Sequence, residues 1–430
     1  MRQCKIYLPN GWDCAKIDEI GTIYSGSTPA TNNSSFWGGN ILWITPNDLS
    51  KLKSRNLLSS ERRITKLGLK KSSTNLLPAK SLVMSSRAPI GYIAIPSEDF
   101  CTNQGCKTIV FNSGHDVEFH YYNFLFNIKT IKEKGEGTTF AEISKKALGD
   151  IQFLFPEYEI EQSKIAEILS TVDSAIEKTD HLIEKYKCIK QGLMQDLFRY
   201  GIDENGQIRS EKTHKFKDSL LGRIPAEWDY TVLGNMELYE LKTGGTPSTE
   251  NNLFWQNGHI PWFSSGEIHK KTVHYTDNFI TDAGYRNSNA CIIPKKSTLI
   301  ALAGQGKTRG SAAITEIELT TNQSVAAIIP KKRIDPYFLY YYMDSKYENL
   351  RAISAGAGRA GLSLKILSQY MVINPIKNEQ EKISKLLLNI DELIQKEGKE
   401  INKLISLKFG LMNDLLSGNV RVTHLLKENG

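Results

Sequence analysis

The sequence predicts an α+β fold in which two duplicated globular domains are joined by two long antiparallel coiled-coil helices. Three observations carry this. The chain repeats itself with a period of about 218 residues, and each repeat mixes short apolar or alternating runs with Gly, Pro and Asn punctuation. Each repeat then closes on a long stretch whose apolar residues step by three and four. The expected partition is a first globular domain at 1–157, a first helix at 158–199, a linker at 200–221, a second globular domain at 222–376, a second helix at 377–418 and a tail at 419–430.

The repeat is collinear along the whole chain. Leu8-Pro9-Asn10-Gly11-Trp12-Asp13 returns as Ile224-Pro225-Ala226-Glu227-Trp228-Asp229, and Gly26-Ser27-Thr28-Pro29 as Gly244-Gly245-Thr246-Pro247. Phe36-Trp37, Trp43 and Asn103-Gln104 match Phe254-Trp255, Trp262 and Asn322-Gln323. Gly137 with Ile143-Ser144 matches Gly356 with Leu362-Ser363, and Pro156 with Glu161-Gln162 matches Pro375 with Glu379-Gln380. Gly192-Leu193-Met194 with Asp196-Leu197 returns as Gly410-Leu411-Met412 with Asp414-Leu415. The frames agree while stretches such as 51–100 and 270–320 share little, so one scaffold presents two different surfaces.

Within each globular half, Ser81-Leu82-Val83-Met84 and Thr298-Leu299-Ile300-Ala301-Leu302 read as strands, and the mixture with helical stretches gives the α+β class. Trp12, Trp37, Trp43 and their counterparts read as core or turn-packing anchors.

The helices have a definite seam. Ile165, Ile168, Val172, Ala175, Thr179, Leu182, Tyr186, Ile189 and Leu193 alternate steps of three and four, the a/d pattern of a coiled coil. In the second copy Ile383, Leu386, Ile390 and Leu393 keep the register, Glu397 and Glu400 interrupt it, and Leu404, Leu407 and Leu411 resume. A helix of about 38 residues is roughly 57 Å long, so it separates what it carries. Packed antiparallel, the two would place the globular domains at opposite ends; pairing of each with another protein fits the same pattern.

Composition excludes several classes. At 430 residues the chain exceeds what one core organises, and no apolar run approaches the roughly 20 residues of a bilayer span. Met1-Arg2-Gln3-Cys4-Lys5 is followed by no apolar core or small-residue cleavage site, so no secretory signal and a cytoplasmic location are expected. Cys4, Cys14, Cys101, Cys106, Cys188 and Cys291 form no CxxC pair and read as free thiols. His115 with His120, and His269 with His274, are five apart where a helical metal pair needs three or four, so no metal site is expected. The net charge of +7 favours an acidic partner. Lys51, Lys53, Arg55, Arg62, Arg63, Lys66, Lys70, Lys71 and Lys80 face the single acid Glu61, a run that also fits a solvated surface.

Two motifs imitate catalysis. Ala301 to Thr308 fits a relaxed phosphate loop after a strand, but Arg309-Gly310-Ser311 continue as loop where a helix is required. Asp335-Pro336-Tyr337-Phe338 resembles an adenine-methyltransferase motif, yet Asp as N-cap with Pro in the first helical position accounts for it. An enzyme built on the Gly306-Lys307-Thr308 loop, or a coiled-coil scaffold that touches no DNA, are the other classes to weigh.

Taken together, the Pro-x-x-Trp openings, the Gly-[Ser/Gly]-Thr-Pro turns, the runs Trp37 to Trp43 and Trp255 to Trp262, and the closing Leu411-Met412-Asn413-Asp414-Leu415-Leu416-Ser417-Gly418 resemble type I restriction-modification specificity subunits. The resemblance covers essentially the whole chain. It implies a non-catalytic protein whose two target-recognition domains each read half of a split double-stranded DNA sequence, with the helices fixing the gap. It also implies two modification subunits docked on the helices, which supply S-adenosylmethionine-dependent adenine methylation. Restriction subunits would supply translocation and cleavage with ATP and Mg, so this chain itself holds no cofactor. On this reading Lys51, Lys53, Arg55, Arg62 and Arg63 attach to phosphates. Ser86, Arg87, Gln305, Lys307 and Arg309, with Thr28 and Thr246, are the candidates for reaching base edges, each of them at least as compatible with a phosphate contact or a purely structural one.

Overall fold

The computed structural model describes residues 8–135, 141–304, 306–355 and 361–429. Gly137, Gly356, Gln305 and Cys4 lie outside them. The chain divides into two compact units, residues 1–182 with 397–430, and residues 183–396.

In the first unit the strands are, in chain order, β1 (Trp12–Lys16), β2 (Gly21–Ser25), β3 (Trp37–Ile44), β4 (Asn56–Leu57), β5 (Arg62–Ile64), β6 (Leu82–Ser85), β7 (Ile93–Pro96), β8 (Phe100–Thr102), β9 (Cys106–Phe111) and β10 (Gln152–Pro156). They form a five-stranded sheet of order β2-β9-β6-β7-β4, a three-stranded sheet β5-β3-β8 and the antiparallel pair β1-β10. Helix α1 (Val117–Phe126) packs on the larger sheet, and the long helix α2 (Glu159–Tyr200) follows β10.

The central strand β6 shows why the fold is layered. It is buried along its length, yet its side chains still alternate: Leu82 and Met84 enter the core with Ile109, Phe124 and Phe153, while Val83 enters a second core with Leu42, Ile44 and Phe100. Strand Cβ atoms point to opposite faces at successive positions, so one apolar run serves two cores.

The second unit repeats this plan. Its strands are β11 (Phe216–Ser219), β12 (Gly222–Pro225), β13 (Asp229–Val232), β14 (Tyr239–Thr243), β15 (Ile260–Phe263), β16 (Thr272–Val273), β17 (Asn278–Ile280), β18 (Thr298–Ala301), β19 (Ala312–Thr315), β20 (Thr320–Thr321), β21 (Val325–Pro330) and β22 (Met371–Asn374), with helices α3 (Pro336–Ser345) and α4 (Lys377–Leu416). The sheet orders β14-β21-β18-β19-β16, β17-β15-β20 and β13-β22 match those of the first unit strand for strand. Even the parallel additions recur, β4 on β7 and β16 on β19. Ile300 of β18 enters one core, and Leu299 and Ala301 the other.

Asp335 caps α3 by accepting from the Phe338 amide at 2.8 Å with Pro336 in the first turn, as Asp116 caps α1 through Phe119 at 2.8 Å. The segment read as a linker is not bare chain. Asn205-Gly206 makes a tight turn, Gly206 at φ +78°, between the bridged Ile202 and Ile208, and β11-β12 form a hairpin after it.

The long helices run antiparallel within each unit: Glu161, Ile165 and Asp173 of α2 lie beside Arg421, Leu415 and Lys408, and Lys190 and Phe198 beside Asp391 and Ile383. Of the seam residues, Ile165, Val172 and Ile383 are buried, and Ile168, Leu182, Tyr186, Leu193, Ile390, Leu404 and Leu411 half-buried. Ile189, Leu386, Leu393 and Leu407 are exposed. The buried line runs instead through neighbours such as Leu169, Ile183, Met194, Leu197 and Leu387. A straight α-helix drifts about 20° per heptad, and the globular domains claim a broader stripe at the helix ends than a coiled-coil seam would. Glu397 is half-buried, and Glu400 is exposed beside Lys403 at 3.4 Å.

Candidate nucleic-acid interface

Each unit carries the same small platform. In the first, the Trp43 indole donates to the Ser27 carbonyl at 3.1 Å and Trp37 to Ala30 at 3.2 Å, so both rings are tied to the turn that contains Thr28. Their centroids are 4.9 Å apart, edge to face. The Thr28 hydroxyl donates to Gln104 at 2.6 Å, locking the turn to the loop between β8 and β9. In the second unit Trp262 donates to Gly245 at 3.0 Å, Trp255 to Ser248 at 2.9 Å, and Thr246 to Gln323 at 2.7 Å. That indole pair is 5.0 Å apart, again edge to face. The first Gly of each turn has no room for a side chain: a Cβ on Gly26 would fall 2.1 Å from the Asn103 carbonyl oxygen, and one on Gly244 1.8 Å from that of Thr321.

Thr28 and Thr246 are both exposed at the edge of this platform. Arg62 lies on it, its guanidinium carbon 3.4 Å from the Trp37 ring centroid. Ser86 and Arg87 adjoin it, because the Ser86 amide donates to Gly105, next to Gln104. Ser86 itself is fully buried, with no protein partner for its hydroxyl among the described residues, and so does not reach the surface. Arg87 is half-exposed and stands 3.8 Å from Glu142, which also approaches Lys107 at 3.5 Å.

The basic run of 51–63 does not form one patch. Lys51 is exposed but 3.1 Å from Glu61, and Lys53 is exposed. Arg55 turns inward to Glu118 of α1 at 3.0 Å, where it braces the sheet edge against the helix. Arg63 points to the face of β5 opposite Arg62, donating to Asn40 at 2.8 Å and Glu98 at 2.9 Å. In the second unit Lys307 is exposed and Arg309 half-buried, in a loop running from β18 straight into β19. The Gly310 amide returns to Ala301 and the Ser311 amide to Thr308, so the described part of this loop opens no helix that could seat a nucleotide phosphate.

Sequence reading missed two sets of polar contacts. In the first, the Tyr122 hydroxyl of α1 donates to Asp173 of α2 at 2.7 Å, and Lys408 of α4 closes on the same carboxylate at 2.6 Å. The second unit repeats it with Tyr341, Asp391 and Lys190, at 2.6 Å for each bond. Burial first, then the carboxylate, pushes both phenols above the ordinary tyrosine value, so they stay donors. In the second set, buried Glu379 takes Arg209 at 2.6 Å, the Trp228 indole at 3.0 Å and the Ile202 amide at 2.9 Å. Glu161 takes Arg421 at 2.6 and 2.7 Å, and Arg421 also donates to the Asn10 carbonyl. The repeated Glu-Gln pair and the reappearing tyrosines were the available signals; the partners that come from distant segments were not legible.

The family described as type I restriction modification DNA specificity domain matches residues 9–185 and 225–405. Among curated relatives, the specificity subunit of type I restriction enzyme MjaIX from Methanocaldococcus jannaschii is 28% identical over 426 residues, 97% of this chain and 95% of that protein. The EcoR124I/EcoR124II specificity subunit of Escherichia coli is 29% identical over 190 residues, 43% of this chain and 46% of that one. A crystal structure of the S subunit of a type I restriction-modification system from M. genitalium shares the fold at 17% identity, covering 97% of this chain and 98% of that chain with a TM-score of 0.60. A chain from a structural study of complex assembly in the type I system aligns with a TM-score of 0.61 at 14% identity, over 96% of this chain and 100% of that one.

Proposed function

The chain belongs to the type I restriction-modification DNA specificity family and is a non-catalytic specificity subunit, and on that footing we propose that its first globular domain reads one half of a split double-stranded DNA sequence and its second the other. The observation that carries this is the duplicated tryptophan and Thr-Gln platform, the same in both units while the side chains around it differ. A duplicated frame with divergent surroundings is what two readers of unlike sequences need.

Lys51, Lys53 and Lys307, exposed beside or beyond the platforms, supply attachment to phosphates. Thr28 and Thr246 with their glutamines hold the backbone in both half-sites alike, and Arg87 and Arg309 serve the bases or phosphates next to them. The long helices set the gap between the half-sites and carry two modification subunits. These bring S-adenosylmethionine for adenine methylation, and restriction subunits bring ATP and Mg for translocation and cleavage. Assembly takes place in the cytoplasm; among the described residues no helix is long and apolar enough to cross a membrane.

The test is retardation of DNA fragments by the chain assembled with its modification subunits, across a salt series. Retention of a fragment with a bipartite site at salt that releases unrelated fragments supports the reading. Equal retention of all fragments at every salt concentration contradicts it.

A further inference from the structure

One of the matched positions at which the two platforms differ lies on the strand beside the inner tryptophan. In β5 of the first unit Arg62 pairs across the strand with Trp43, and in β17 of the second Asn278 pairs across with Trp262. The match extends to the support of each residue: the Ser60 hydroxyl donates to the Arg62 carbonyl at 2.6 Å, and the Thr276 hydroxyl to the Asn278 carbonyl at 2.8 Å. Both residues are exposed. Among the described residues neither side chain donates a hydrogen bond to the protein.

Resting on the DNA-reading role above, we infer that Arg62 and Asn278 are equivalent base-reading residues, Arg62 for a guanine in one half-site and Asn278 for an adenine in the other. Features that are identical in the two copies, the indole pairs and the Thr-Gln bonds, cannot tell two half-sites apart. A position with the same cross-strand tryptophan, the same hydroxyl support of its carbonyl and a different side chain can. The chemistry of the two side chains is that of the two commonest bidentate pairings in the major groove: a guanidinium fork fits guanine O6 and N7, and a carboxamide fits adenine N6 and N7.

The Trp37 ring gives Arg62 a preset orientation. At 3.4 Å the guanidinium lies against the ring face, which leaves its in-plane N–H edges for a planar acceptor and lowers the freedom lost on binding. Trp43 flanks it at 5.5 Å.

The experiment uses the chain assembled with its modification subunits and maps modified adenines across a genome or randomised library for the unaltered complex and for Arg62→Asn, Arg62→Lys and Asn278→Arg. The expected result for Arg62→Asn is a change at one base pair of one half-site, from G·C toward A·T, by about tenfold or more, with the other half-site unchanged. Arg62→Lys, which keeps the charge but loses the fork, relaxes that same pair. Asn278→Arg shifts one pair of the other half-site from A·T toward G·C, and because the Asn278 side chain is exposed and makes no hydrogen bond among the described residues this arm stands even if Arg62 variants fold poorly. Uniform weakening on all sequences, or an unchanged recognition sequence in the Arg62→Asn and Asn278→Arg complexes, overturns the assignment. An unaltered complex that modifies no bipartite sequence would instead overturn the underlying reading.

Discussion

Tyr122 donates its hydroxyl to Asp173 at 2.7 Å, which fixes α1 of the first globular domain to the long helix that follows it. Lys408 completes the contact from the other repeat's helix, and Tyr341, Asp391 and Lys190 reproduce it in the second unit. Removing the carboxylate leaves a half-buried ammonium and a phenol with no acceptor. Asp173→Ala is therefore expected to lower stability by on the order of 2 kcal/mol and Tyr122→Phe by about 1 kcal/mol. Amide exchange should speed up in α1 and residues 159–182 and stay unchanged in α3; equal acceleration in both units would contradict a local contact.

Glu379 gathers Arg209, the Trp228 indole and the Ile202 amide in a buried site, and the Arg209 side chain is only 6% exposed. Glu379→Ala leaves the buried guanidinium only the exposed Glu227, at 2.8 Å, and strands the indole and the amide, for an expected loss of about 3 kcal/mol in urea unfolding. The double change Glu379→Leu with Arg209→Met should recover much of it, since no uncompensated charge then remains.

His120 is buried between Phe111 and Phe155, with His115 at 3.2 Å, and burial holds both below the ordinary value of 6.5. The folded state thus binds fewer protons than the unfolded one. Their contribution to stability is complete above pH 6.5 and is lost as the pH falls below it. The second repeat places Ile334 and Leu339 in the same frame, so His115→Ile with His120→Leu is expected to fold and to flatten the acid side of the melting-temperature profile. An unchanged acid slope would show that other groups set it.

Lys53 and Arg63 separate attachment from scaffolding. Lys53→Ala should weaken DNA binding equally on all sequences and reduce the salt slope by about 1. Arg63→Ala, which breaks bonds to Asn40 and Glu98, should leave the slope alone and lower the melting temperature.

Much of the fold was legible because the two copies repeat the same local signals. The Pro-x-x-Trp openings, the Gly-Thr-Pro turns, the Asp335-Pro336 cap and both long helices stand out by type and spacing. What stayed hidden depends on direction. Ser86 and Arg55 belong to polar stretches but turn inward, one at the end of a buried strand and the other onto α1. Ile189, Leu386, Leu393 and Leu407 satisfy a heptad yet face out, because burial along a drifting helix is decided by what lies beside each turn. Asn278 carries no charge and no motif, and its match with Arg62 exists only in strand register.

The central claim is that the two domains read independently, and exchange of residues 1–157 for those of a family member with a different target tests it most directly. Modified adenines mapped with the exchanged complex should show one half of the recognised sequence replaced, with the other half and the gap between them unaltered. Replacement of both halves, or of neither, would contradict the account.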